Sequence, residues 1–533
     1  MVHVHLPSGK WQLICLTLTN SVSMAHFGYD QGIFAGALIS ADFLEIFPET
    51  KVPDISGITS SCFSLGAFFG CLASFLLGDR LGRKKSIYVG LAVNVIGVVL
   101  QITAYHLPQM IIGRAFNGFG MGILSSTCPV FMAEASPSPI RGKLVVLGSL
   151  CNTVGFCIAN WMNYALFDKN GPFQWRFPLG FQLVFPLIVV TFLPLTVESP
   201  RWLLLRGRVS DARATLVRIR GTAYDLNDKD LNDDLISIQK VLEEEQAAHV
   251  SFMDVLLCRD PLQTARRVVL SCGTQLMQQF TGVNALGYYL PTLLIESVGV
   301  FSSYARLLAG ANASLYLGAA FVCLFLVDLV GRRKYDHDIL CYLSFSLRQI
   351  CLRAYRLMMY GSIATGSCYL IAAITLKEAK LHPEKKTVLG KATVSMFFLY
   401  YFCYGTSFAK VPWVYNSEIN SLGWRTKGAA AATATNWMSG FVIVQFTRVG
   451  FDNLGWGLYL LFAGFCWSFL PIIFLFYPET SRRTLEDMDE IFRRHNSLFV
   501  FRDKVLTQRN RPQEFIEAEQ RRVTEAPIRT HNP

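Results

Sequence analysis

Long apolar runs alternate with short polar ones along most of this chain. Runs of about 20 residues, enough to cross a bilayer as a helix, lie near 12–38, 55–77, 86–104, 109–132, 144–166 and 177–196. A second set lies near 267–296, 304–327, 357–376, 392–417, 428–450 and 455–477. The pattern predicts an all-α membrane protein with twelve transmembrane helices in two six-helix bundles, 1–197 and 267–477. The polar segment between them, 198–266, carries amphipathic stretches such as SDARATLVRIR and DLISIQKVLEEEQAA, which predict a helical linker. A charged tail, 478–533, follows.

Composition agrees with many spans. Of 533 residues 16% are charged and 52% hydrophobic, with mean hydropathy +0.35; soluble chains carry about 25% charged residues. The 40 Phe suit lipid-facing and interfacial surface. The net charge of +11 does not point to nucleic acid, because the basic residues cluster in short loops between spans. The 14 Cys are scattered and form no CxxC pair, so neither a metal site nor a disulfide framework is expected, and no cofactor is implied. The N-terminus lacks a basic region followed by a small-residue cleavage site, so the first span reads as a retained helix.

Lys and Arg set the orientation. They crowd GDRLGRKK, SPIRGK, GRRK and GWRTK, which follow spans two, four, eight and ten. Both termini and the middle loop are therefore expected in the cytoplasm, with the plasma membrane as location. LKEAKLHPEKKTVLGK, after span nine, is basic although this topology puts it outside.

The two halves repeat their charges. Asp79 and Arg83 after span two match Asp328 and Arg332 after span eight. Glu134 and Arg141 after span four match Glu418 and Arg425 after span ten. Glu198 and Arg201 after span six match Glu479 and Arg482 after span twelve. Such repeats predict two bundles related by a pseudo-two-fold axis along the membrane normal, with a substrate site between them. The acids and bases read as a cytoplasmic gate whose pairing biases a two-state equilibrium towards the outward-open state. The alternative is topogenic charge with solvated pairs.

The chain resembles the sugar porters of the major facilitator superfamily, fungal hexose transporters in particular. The motifs that carry the resemblance span roughly residues 20–492 and include GRAFNGFGMG, PVFMAEASPSPIRG, ESPRWLL, QQFTGVNALGYY, DLVGRR, VPWVYNSEI and PETSRRTLEDMDEIF. QQFTGVNALGYY, VPWVYNSEI and PETSRRT together are specific to the sugar branch. The resemblance implies a sugar site of Gln278, Gln279, Asn284, Asn160, Trp413 and Asn436, with Tyr289 beside Tyr288 where the family has its outer gate. Amide side chains supply both donors and acceptors for hydroxyls, and an indole covers the apolar face of a pyranose. Gln278, Gln279 and Asn284 can share one cavity wall only if span seven is broken, which Gly282 and Gly287 permit. Gly405 and Tyr316 stand where well-known sugar porters often carry Glu and Asn, leaving the particular sugar open.

Two features stand apart. Residues 335–356, YDHDILCYLSFSLRQICLRAYR, intervene between DLVGRRK and the ninth span. They read as an unspliced intron, since the flanking residues permit splice-like codons and excision stays in frame. The alternative is an amphipathic helix lying on the bilayer. Asp30 lies within the first span, where a charge costs about 2.5–3.5 kcal/mol on insertion scales. The family resemblance pairs it with Arg114 and implies proton symport, with Asp30 as proton carrier; a permanent structural ion pair is the alternative. His26, one turn away, reads as a packed polar residue.

The expectation is proton-coupled uptake of a hexose by a monomeric transporter with sugar and proton as partners. A facilitator, a polyol or quinate porter, and a non-transporting sugar receptor are the alternatives. No nucleophile–base set, phosphate loop or metal cluster suggests an enzyme.

Overall fold

The computed structural model describes residues 8–136, 141–169, 171–221, 252–331, 354–421, 424–480, 485–494 and 499–502, with isolated positions between 235 and 243. Most of 335–356 lies outside the described residues.

The described residues form helices and no strand. The first half contains α1 (Lys10–Ala37), α2 (Pro53–Leu81), α3 (Arg83–Ile102), α4 (Leu107–Ala135), α5 (Arg141–Ala165), α6 (Phe173–Phe181) and α7 (Val184–Phe192). The second contains α8 (Thr264–Phe280), α9 (Val283–Leu293), α10 (Ser302–Gly331), α11 (Ala354–Leu381), α12 (Lys386–Thr406), α13 (Val411–Ile419), α14 (Arg425–Leu454) and α15 (Gly457–Phe476). After them comes α16 (Leu485–Arg494). The pairs α6–α7, α8–α9 and α12–α13 each make one span, which gives twelve spans among the described residues. Helices suit lipid because each satisfies its own backbone polar groups.

Packing divides the spans into two bundles. In the first, α1 lies along α5, and α4 packs on both α2 and α3. In the second, α8 packs on α14, and α11 on both α12 and α15. The seam joins α2 to α14 and α5 to α10. These two contacts exchange under a rotation that maps each span onto the one six places later. Close approach within a bundle relies on small residues. A Cβ on Gly28 of α1 would meet the Asn152 carbonyl oxygen at 1.7 Å, and one on Gly155 of α5 would meet that of Ala25 at 1.8 Å.

Apolarity is unevenly shared. Among the described residues, six spans are long and apolar enough by composition alone to cross a membrane: α2, α3, α6–α7, α10, α11 and α15. The others carry several of the large buried polar side chains, among them Asn20, His26 and Asp30 on α1, Arg114 and Asn117 on α4, and Gln275, Gln278 and Gln279 on α8. A helix can afford such residues only where protein or a cavity, not lipid, faces them.

The basic segment after the ninth span differs from its expected form as a loop. α11 runs to Leu381, and α12 starts at Lys386, so the connection is only a few residues around Pro383. Its lysines mostly extend the two helices.

Candidate functional site

Gly282 makes the site. It holds φ +82°, a left-handed value that suits glycine. It separates α8 from α9, as the sequence predicts for Gly282; Gly287 sits inside α9. Across this break the side chains of span seven converge. Asn284 Nδ2 donates to Gln279 Oε1 at 2.7 Å, and Gln279 Nε2 donates to Asn436 Oδ1 of α14 at 3.1 Å. Asn436 Nδ2 donates to Gln278 Oε1 at 2.9 Å and to Gln275 Oε1 at 2.8 Å. Gln278 Nε2 donates to the Phe408 carbonyl at 2.8 Å. Four expected residues thus form one buried amide cluster, and Gln275 joins it. Gln275 lies one turn before Gln279, a spacing the sequence already displays.

A second break opens span ten. Residues 407–410 leave helical geometry between α12 and α13, with Ser407 at φ −129°, ψ −88°. This exposes the Phe408 and Ala409 carbonyls to Gln278. Trp413 follows the break on α13 and is half-buried.

Two expected members lie elsewhere. Asn160 Nδ2 bonds back to the Phe156 carbonyl of its own helix at 2.9 Å, beside Gly32 of α1. Tyr289 is buried and lines a different cavity, of about 440 Å³, with Leu38, Thr50, Lys51, Glu296 and Arg448. That cavity lies at the far end of the bundles, opposite the repeated charges. There Arg448 pairs with Glu296 at 2.7 Å.

The surroundings of Asp30 correct the expected ion pair: Asp30 and Arg114 are not in direct contact. Arg114 donates to the Ser60 carbonyl at 3.1 Å and lays its guanidinium 3.7 Å from the centroid of Phe34. Asn117, one turn further along α4, donates to Asp30 Oδ1 at 3.3 Å. His26 Nε2 lies 3.5 Å from Asp30 Oδ2 while its ring stacks on Phe185. Asn117 also donates to Gln182 at 2.9 Å and accepts from Asn94 at 2.5 Å. Asp30 is therefore the acid of a buried polar chain, in which an amide replaces the guanidinium as its closest partner on α4. The Arg114 side chain instead satisfies a carbonyl of α2 and an aromatic face.

Three of the repeated charges, Arg83, Glu134 and Glu198, meet within the first bundle. Arg83 binds Glu134 through two parallel bonds, Nε at 2.9 Å and Nη2 at 3.0 Å, both side chains about nine-tenths buried. Glu198 accepts from the backbone N–H groups of Arg83 and Lys84 at 3.1 and 3.2 Å and so caps α3. Lys84 Nζ binds the Thr196 carbonyl at 2.6 Å. These contacts tie α3, α4 and the end of span six together on one side of the seam. Arg201 opens the short helix Pro200–Leu205. In the second half Glu418 lies in the last turn of α13, Arg425 begins α14 and Glu479, after α15, is buried. The side chains of Asp79, Arg141 and Asp328, and the whole of Arg332 and Arg482, lie outside the described residues.

Bonds across the seam crowd at the far end. Ser61 donates to Gln445 at 2.9 Å, Trp161 to Ser314 at 2.9 Å, and Arg306 to the Asn163 carbonyl at 3.3 Å. Towards the charged end Lys410 Nζ donates to Ser149. Lys410 escaped the sequence reading, although a lone lysine inside an apolar span is itself a signal.

A two-bundle helical membrane protein with a buried amide cluster beside its seam is a carrier of the major facilitator class. The family described as Sugar (and other) transporter matches residues 16–492, and the chain belongs to it. It is 38% identical to the MFS-type transporter oryC of Aspergillus oryzae, over 97% of this chain and 92% of that one. It is 33% identical to the sugar transporter STL1 of Saccharomyces cerevisiae, over 91% of this chain and 82% of that one. The fold matches the proton:xylose symporter XylE bound to 6-bromo-6-deoxy-D-glucose with a TM-score of 0.71, at 20% identity, over 91% of this chain and all of that one.

Proposed function

We propose that this transporter takes up a monosaccharide, a hexose in the first instance, together with a proton by alternating access. The amide cluster of Gln278, Gln279, Asn284 and Asn436 carries the proposal. Its members hold one another in hydrogen bonds that a ring of hydroxyls can replace one for one, so binding costs little in unsatisfied polar groups. Trp413 supplies an apolar face beside the cluster. Asn160 enters the site once its bond to its own helix is exchanged for a bond to substrate, and Tyr289 serves as a far-end gate. The sugar transporter named among the relatives supports the same substrate class.

Asp30 is the proton carrier in this reading. It is a carboxylate buried among Asn117, His26 and Gln182, with Arg114 one turn from Asn117. Gaining a proton removes its charge and weakens the Asn117 bond, which loosens α1 against α4. Arg83, Glu134 and Glu198 stiffen the first bundle as a unit, so that it rocks as a body; their sequence counterparts Arg332, Glu418 and Glu479 belong to the same gate. Asp79, Arg141, Arg201, Asp328, Arg425 and Arg482 complete the gate at that end. The protein is proposed to work as a monomer in the plasma membrane with both termini cytoplasmic.

Uptake of radiolabelled sugars in transporter-deficient cells, with and without a protonophore, tests the reading. Concentrative uptake that the protonophore abolishes is the expected result. Equilibrating uptake insensitive to it would leave a facilitator.

A polyol or quinate permease is the second reading. Lys410, a cation in span ten just after the carbonyls that bind Gln278, favours the quinate form of it.

A further inference from the structure

Both bundles line the cavity of about 440 Å³ at the far end. Leu44 and Lys51, in the connection between α1 and α2, line it from the first half. Tyr289, Ile295, Glu296 and Arg448, from span seven and α14, line it from the second. Its size falls within the range of about 300–1,000 Å³ usual for small-molecule sites, as does its make-up of apolar walls with a few polar groups. The 2.7 Å pair of Arg448 with Glu296 fixes one wall by joining α14 to the end of span seven. One turn from Arg448 the seam is shut: Gln445 accepts from Ser61 at 2.9 Å and donates to the Asp54 carbonyl at 3.4 Å, both on α2. The lining shares no residue with the amide cluster.

We infer that this cavity is a second binding site, for a neutral polyhydroxylated compound such as the sugar itself when abundant, and that filling it holds the far side closed. The inference rests on the proposed uptake of a sugar and on the proposed orientation, which puts this end outside. A hydroxyl both donates and accepts. Neighbouring hydroxyls can therefore accept from the Lys51 ammonium and donate to the Glu296 carboxylate, in bonds that the charges strengthen. Leu44, Ile295 and the Tyr289 ring offer apolar surface to the C–H groups of the same molecule. Glu296 disfavours an anion here, and Lys51 and Arg448 disfavour a cation. Opening the seam draws Leu44 and Lys51 away from Ile295 and Glu296, so a compound that bridges them binds the closed arrangement in preference. A ligand shifts a two-state equilibrium by its differential affinity for the states. At ten times its dissociation constant, a ligand of one state lowers the other about tenfold. Abundant external sugar thus slows its own entry, from a site separate from the one that carries it.

Two measurements on the full chain test this. In transporter-deficient cells, with sodium chloride balancing osmolarity, the initial rate of radiolabelled D-glucose uptake is expected to rise with external glucose, pass through a maximum and then fall at least twofold. Lys51→Met and Leu44→Trp, which remove the ammonium and fill the cavity, are expected to abolish the fall and to keep half-saturation on the rising limb within about twofold. The second measurement uses Ser302→Cys, which puts a thiol in the cavity lining. External glucose is expected to slow its labelling at the cell surface by a membrane-impermeant maleimide at least threefold, with the wild-type chain as blank. That protection should persist when Asn436→Ala is added, because the amide cluster is then impaired and the cavity is not. Wild-type uptake that rises to a plateau, a fall that survives in both Lys51→Met and Leu44→Trp, absent protection, or protection lost with Asn436→Ala each overturns the inference and leaves sugar transport standing. A wild-type chain that takes up no glucose overturns the transport reading instead, and protection of the thiol at position 302 then decides the site by itself.

Discussion

Asn284 and Gln279 are joined by a 2.7 Å hydrogen bond that spans the break at Gly282. On an unbroken helix, residues five apart point to different faces. The bond exists because Gly282 turns the chain through a left-handed position, and that turn brings Asn284 onto Gln279, which in turn donates to Asn436.

Gly282→Ala is expected to damage both stability and binding. The added Cβ would lie 2.7 Å from the Tyr369 hydroxyl and 3.1 Å from Phe462, at a φ that side chains adopt with strain. A cost of about 1–3 kcal/mol follows from the backbone alone. A lower unfolding temperature by fluorescence-detected chromatography, with at least tenfold weaker substrate uptake, would confirm it; wild-type behaviour would mean that span seven tolerates a continuous helix.

Asn436→Ala removes the group to which Gln275, Gln278 and Gln279 all bond. Each bond contributes about 0.5–1.5 kcal/mol net, and a stranded buried amide costs more. Half-saturation for uptake should rise about 10- to 100-fold, since 1.4 kcal/mol is tenfold in affinity. Asn160→Ala should have a smaller effect on folding, because its amide bonds only to its own helix.

Asp30→Asn should uncouple transport from the proton. The amide keeps a partner for Asn117 but cannot take up a proton. Wild-type uptake should rise as the external pH falls, because loading requires the protonated carboxyl. The variant should show counterflow without accumulation and little response to pH. Intact, pH-dependent accumulation in Asp30→Asn would remove it as carrier. His26→Gln tests the neighbour: it should shift the pH at which uptake is half-maximal while leaving accumulation possible.

Glu134→Gln breaks the two-pronged pair with Arg83 and leaves a guanidinium buried without its carboxylate. Loss of one partner of a buried pair costs about 3–5 kcal/mol. Glu198→Gln keeps an acceptor for the N–H groups of Arg83 and Lys84 and weakens the cap on α3, for about 0.5–2 kcal/mol. Thermal unfolding of the two variants should therefore rank Glu134→Gln as the more damaging, and equal shifts would refute that division of labour.

Much of this protein could be read from its sequence. Apolar runs placed the twelve spans, because lipid admits only helices whose backbone groups are satisfied internally. The repeated acid–base sets announced two related halves. Gly282 announced the break in span seven, since a left-handed residue is a local property of one position. The motifs marked Gln278, Gln279, Asn284 and Asn436 as one site, and their amides do meet.

Contacts between distant segments were decided only by the tertiary structure. Asp30 finds Asn117 rather than Arg114 because α1 and α4 cross at a particular rotation, and one helical turn separates the two candidates. Arg83, Glu134 and Glu198 close on each other within a bundle, where charge spacing alone suggested pairing between bundles. Pro412, which has no N–H for the Phe408 carbonyl, is a local signal for the break at 407–410, but only the packing decides that the break carries Lys410 to Ser149 of α5. Local periodicity fixes which residues form helices; which side chains then touch depends on crossing angles and packing that no single segment encodes.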